Sequence, residues 1–164
     1  MPAAVIPCGM AGYANYKFDS CLKREMKLNS LGGIFVTLHT ESWDTILYAS
    51  VDGEIDFDSY RRLAEQLAAL LAEQRISRIL LDLRHLTAGL QVIERIGLAV
   101  EGTGHASRLG IHPIVAVVGP SDNGLGVIAA QSLGADIELF TGIQEALDWL
   151  NNSPVDLWRE PCAE

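Results

Sequence analysis

The sequence predicts an α/β domain built on a mixed β-sheet of about five strands with about four helices, in the order ββαβαβα followed by a last short strand and helix. Three observations predict it. Two wholly apolar runs, Ile79–Leu81 and Ile114–Val118, are closed by polar residues or by Gly119-Pro120, as in strands buried on both faces. The stretches that follow them repeat apolar residues at steps of three and four, the period of a helix packed along one face. Ahead of them, two short alternating segments stand too close together for a crossover, so they pair antiparallel.

Residues 1–32 read as a poorly structured arm. They show no sustained period, and no charge occurs in the first sixteen. Two readings stand: a disordered arm, or a natural start at Met26 with an upstream extension before it. From Gly33 the pattern becomes orderly. Ile34, Val36 and Leu38 alternate with Phe35 and Thr37 as a first strand, and Glu41 to Asp44 is a turn. Ile46 to Val51 is a second strand, closed by Asp52-Gly53. Asp56 is placed to cap a helix over 57–74, whose inward stripe is Phe57, Tyr60, Leu63, Ala64, Leu67, Leu70 and Leu71.

The central strand, Arg78 to Leu83, leads through Arg84 and His85 to Thr87-Ala88-Gly89 and a second helix. Leu90, Ile93, Ile96, Gly97 and Val100 predict its inward face, and Gly102 or Gly104 its end. After the strand Ile114–Val118, a third helix over 123–133 turns Leu125, Ile128, Ala129 and Leu133 inward and stops at Gly134. Ile137 to Phe140 is the last strand. Thr141 and Gln144 have the spacing of a capping box for a final helix with Ile143, Ala146, Leu147 and Leu150 inward. The domain therefore spans 33–151, and 152–164 is a polar tail.

Composition narrows the function. A net charge of −9 with no basic cluster argues against nucleic acid and anionic membranes as partners. No apolar run is long enough to cross a bilayer, so no stable membrane insertion is expected. The three cysteines, Cys8, Cys21 and Cys162, are an odd number without CxxC spacing, which fits a reducing cytoplasm and neither a disulfide framework nor a zinc site. The four histidines show no HxxH or HExxH spacing, so no metal is expected. No cofactor motif is present: the turn from Gly119 to Gly126 lacks the Walker lysine and the GxGxxG order.

Several local motifs resemble the SpoIIAA-like branch of the STAS-domain superfamily, small bacterial α/β domains related in fold to anti-sigma-factor antagonists. They are Ile79-Leu80-Leu81-Asp82-Leu83, the strand Ile114–Val118, and Leu139-Phe140-Thr141 followed by Glu145-Ala146-Leu147-Asp148-Trp149-Leu150. The resemblance implies a SpoIIAA-like fold and a non-enzymatic, regulatory, protein-binding module. It places a protein partner on the loop Arg84, His85, Leu86, Thr87, Gly89 and the first turn of the second helix. Thr87 falls on the phosphoacceptor position of the family's Asp-Ser-Ser-Gly motif and Gly89 on its glycine, with Leu86 and Ala88 in place of the aspartate and second serine. A related fold family, CRAL-TRIO, carries lipids. By that analogy, the first alternative is a carrier of a small apolar or anionic ligand between a helix and the sheet.

A second alternative is an enzyme. Asp82, Arg84 and His85 stand at the carboxyl end of a central strand, where open α/β sheets bind ligands, and a carboxylate with an imidazole can move protons. Asp82 and Arg84 also have the spacing to point the same way and pair. Thr87 has its plain reading as a cap or loop threonine, and Trp149 as a packing or rim residue. An exposed sheet edge invites self-pairing, so a homodimer is a further expected assembly.

Overall fold

A computed structural model of the chain describes residues 23–29, 35–43, 45–88 and 91–154. The sheet is built from β1 (Lys23–Asn29), β2 (Phe35–Trp43), β3 (Ile46–Ile55), β4 (Arg78–Asp82), β5 (Leu86–Ala88), β6 (Ile114–Val118) and β7 (Asp136–Phe140). The helices are α1 (Phe57–Gln74), α2 (Val92–Arg108), α3 (Gly124–Ser132) and α4 (Ile143–Asn152). The spatial order is β1-β2-β3-β4-β6-β7, with β5 added to the far end of β3. β1, β2 and β3 run antiparallel; β4, β6, β7 and β5 join in parallel. The expected mixed α/β sheet is present, and its order is fuller than ββαβαβα.

Two strands lie where none was expected. β1 occupies part of the region read as an unstructured arm, spans Met26 and pairs along its length with β2. Its sequence, KREMKLN, is too charged to read as a buried strand, but a sheet edge tolerates such residues. β5 has only three residues, too few to carry a pattern. Glu41 to Trp43 are strand and not turn. β3 runs on through Gly53, whose φ of 115° is open to glycine and is why the sequence read as a stop there.

α1 has the expected limits, and the Asp56 carboxylate accepts the Ser59 N–H at 2.8 Å as its cap. Leu63, Leu67, Leu70 and Leu71 are buried beneath it. α1, α2 and α3 cover one face of the sheet, over a core that includes Leu47, Ile79, Leu81 and Val117. α4 covers the other, where Leu147 and Leu150 meet Leu80, Ala116 and Val118. The capping box at α4 is absent. Gly142 takes the cap position, and the Gln144 amide donates to Asp148 instead.

α2 and α3 are rotated from the expected faces. Leu98 is the one buried side chain of α2, whereas Ile93 is 71% and Val100 47% exposed. α2 also runs through Gly102 and Gly104 to Arg108, and the left-handed residue that follows is Gly110 at φ 69°. On α3, Val127 and Ala130 face inward, while Leu125, Ile128 and Leu133 are half or more exposed. Gly134 follows α3 at φ 88°, as expected.

Candidate functional site

The carboxyl end of β4 gathers the residues that the sequence singled out. Alternation along a strand puts Asp82 and Arg84 on one face. The Asp82 carboxylate is 1% exposed. It accepts from Arg84 Nε at 2.9 Å, Arg84 Nη2 at 2.8 Å and the Arg84 backbone N–H at 3.1 Å. The Tyr48 hydroxyl adds a fourth bond at 3.0 Å from β3. Burial opposes the charge on Asp82, but the Arg84 bonds and charge, with the Tyr48 hydroxyl, outweigh it and hold the carboxyl below its ordinary range. Burial and the neighbouring carboxylate push the Tyr48 phenol well above its ordinary value, so it stays a neutral donor. Tyr48 is itself fixed by stacking on buried Trp43, with ring centroids 4.4 Å apart.

This arrangement is structural clamping. The acid–base pair offered by the sequence is not assembled: Asp82 is engaged by Arg84 and Tyr48, while His85 is exposed on the turn. The turn itself is pinned. Leu83 N–H donates to Val118 at 2.8 Å, Leu86 N–H to Leu83 at 3.2 Å, and Gly53 N–H to the His85 carbonyl at 3.5 Å.

Arg84, His85 and Thr87 are brought together as exposed side chains, and Leu86 points into the core beneath them. Thr87 is not at a helix start. It is the middle residue of β5, opposite exposed Glu54 of β3. α2 begins later, at Val92, where the Glu94 carboxylate accepts the Gln91 N–H at 2.8 Å. Gly89 lies outside the described residues.

Sequence reasoning missed the apolar surface beside this turn. Val92 is 51% and Ile93 71% exposed on the first turn of α2. α3 lies against the same turn: a Cβ on Gly126 would stand 3.4 Å from the Arg95 carbonyl oxygen. Leu125 and Ile128 of α3, 50% and 60% exposed, extend the patch. Beneath α2 lies a cavity of about 330 Å³ between the three helices and the sheet. Among the described residues there is no group of three or more metal-ligating side chains, and no helix is long and apolar enough to cross a membrane.

No protein-family model matches the chain. No curated protein matches it either. Among solved structures, the chain is similar to an anti-sigma factor antagonist from Mycobacterium paratuberculosis, with 21% identity and a TM-score of 0.51 over 76% of this chain and 100% of that one. It is also similar to an uncharacterised DUF3478 protein with a SpoIIAA-like fold from Shewanella loihica, at 18% identity and a TM-score of 0.41, over 82% of this chain and 98% of that one. A third similar structure is the anti-sigma factor antagonist SpoIIAA in its unphosphorylated form, at 13% identity and a TM-score of 0.48, over 71% of this chain and 99% of that one. The chain shares the fold of the Mycobacterium paratuberculosis anti-sigma factor antagonist.

Proposed function

We propose that this chain is a non-enzymatic regulatory module that docks a protein partner on the turn Arg84–Thr87, the adjoining residues to Gly89 and the first turn of α2. One observation carries the reading. A pinned polar turn with exposed Arg84, His85 and Thr87 adjoins an aliphatic patch headed by Ile93, which is 71% exposed. Interfaces combine these two parts, a water-excluding apolar centre and a polar rim. The likeness to an anti-sigma factor antagonist supports a partner of the anti-sigma-factor kind. The net charge of −9 supports a setting without nucleic acid, and we place the module in the cytoplasm.

Phosphorylation of Thr87 is part of the proposal. In β5 a phosphate would stand across from the Glu54 carboxylate and would act by repulsion. A phosphate of about −1.5 to −2 charges, about 5–6 Å from Glu54 in water, is repelled by about 1–1.5 kcal/mol, and salt screens this. That is enough to loosen a three-residue strand and too little to unfold the domain.

The test is site-specific photocrosslinking in the source cell, with the crosslinker at Ile93 and, as control, at exposed Glu145 on α4. The expected result is one discrete protein adduct from position 93, none from position 145, and a several-fold lower yield with Thr87→Glu. Equal adducts from both faces would refute the docking surface. An unchanged yield with Thr87→Glu would refute the switch alone.

A further inference from the structure

α2 is seated with its large side chains outward. The residues it turns toward the sheet include Leu98, Ala99, Gly102, Thr103 and Ala106, at steps of three and four. Only Leu98 among them is a large apolar residue. A helix of 17 residues that inserts one such side chain cannot fill the space beneath it, and the cavity of about 330 Å³ is the result. The cavity is partly open to solvent, so a ligand can enter it. Its volume falls in the range of small-molecule sites. Its middle is walled by Leu63, Leu67, Leu81 and Val117, which offer water no hydrogen bonds.

Polar residues stand at several places in the wall, Thr103, Ser107, His112 and Asp136 among them, and three gather at one end. Tyr60 is on the first turn of α1, Arg95 on the first turn of α2, and Asn123 just precedes α3. All three helices start where the parallel strands finish, the usual ligand end of such sheets. Tyr60 is partly buried, and its hydroxyl forms no hydrogen bond with a described residue. Burial pushes its phenol up, which keeps it a proton donor. That end of the cavity thus holds an O–H donor and a cationic side chain, and the middle is apolar.

We propose that this cavity binds a single-chain amphiphile, a medium-length aliphatic carboxylate, with its head at Tyr60 and Arg95 and its tail along the sheet beneath α2. The site lies beneath the docking surface, bordered by Leu86 and Arg95 from the same segments, and the proposal does not rest on that reading.

The test is isothermal titration of the full chain with decanoic acid. Saturable binding of one equivalent is expected, with the negative heat-capacity change of apolar burial. Tyr60→Phe should weaken it by about tenfold, the effect of one lost hydrogen bond to a charged group. Ala106→Leu and Ala99→Leu fill the cavity from two different turns of α2. Each should abolish binding without lowering the melting temperature. Ile93→Ser with Ile128→Ser, on the outer surface, should leave binding unchanged. No saturable binding by the parent chain would overturn the proposal. So would filled variants that bind as well as the parent, or a loss confined to the surface variant.

Discussion

Arg84→Ala tests the clamp at the end of β4. It removes two charge-assisted bonds, at 2.9 and 2.8 Å, from a carboxylate that is 1% exposed. Asp82 keeps the Arg84 backbone N–H and the Tyr48 hydroxyl. Stranding one member of a fully buried ion pair costs about 3–5 kcal/mol. Here the Arg84 side chain is 42% exposed, so water reaches the vacated place and the cost falls to about 2 kcal/mol. In a domain of this size that lowers the melting temperature by about 4–8 °C at neutral pH. The pH dependence follows from the direction of the Asp82 shift. Its folded pKa lies below the ordinary 3.8, so the clamp contributes fully above the unfolded value and is lost as pH falls through the folded one. Thermal melts of both proteins across a pH series should therefore diverge at neutral pH and converge in acid. Equal melting temperatures at pH 7, or a gap that widens in acid, would refute the clamp.

Three further outcomes are expected. Ser59→Ala should raise stability by up to about 1 kcal/mol in urea melts, because the fully buried Ser59 hydroxyl has no partner among the described residues. Asp56→Ala should cost about 1 kcal/mol through loss of the 2.8 Å cap on α1, read the same way. Leu98→Ala should cost about 2 kcal/mol, less than Leu147→Ala at about 3–4, because Leu98 borders the cavity and Leu147 is packed under α4 away from it.

Much of the fold was legible because local pattern and burial agree. Ile114–Val118 and the α1 stripe bury what their sequence says they should, and Asp56 caps as its type predicts. The misreadings share a cause. In α2 and α3 the large aliphatic residues sit on the outer face and small ones on the inner, so periodicity found the helix but reversed its direction. The glycines of α2 read as an ending, although helix interiors tolerate glycine at about 1 kcal/mol each. The pairing of Asp82 with Arg84 could be read from their spacing, whereas Tyr48, 34 positions away, joined them only through the register of β3 with β4. Thr87 was placed at a helix start because three strand residues carry no period of their own.

The way β3 is shared has a kinetic consequence. Its first half pairs with β4 and its last three residues with β5, so the chain between Asp82 and Leu86 is stitched to one strand on both sides. Ordering a free loop on association costs about 0.5–1.5 kcal/mol for each immobilised side chain. Here that ordering is completed when the domain folds. Under the proposed docking, a partner would meet this backbone turn already formed, so association would need no slow rearrangement of it. A different shape at this turn would require β5 to leave β3, a pairing of only three residues that a phosphate on Thr87 would loosen.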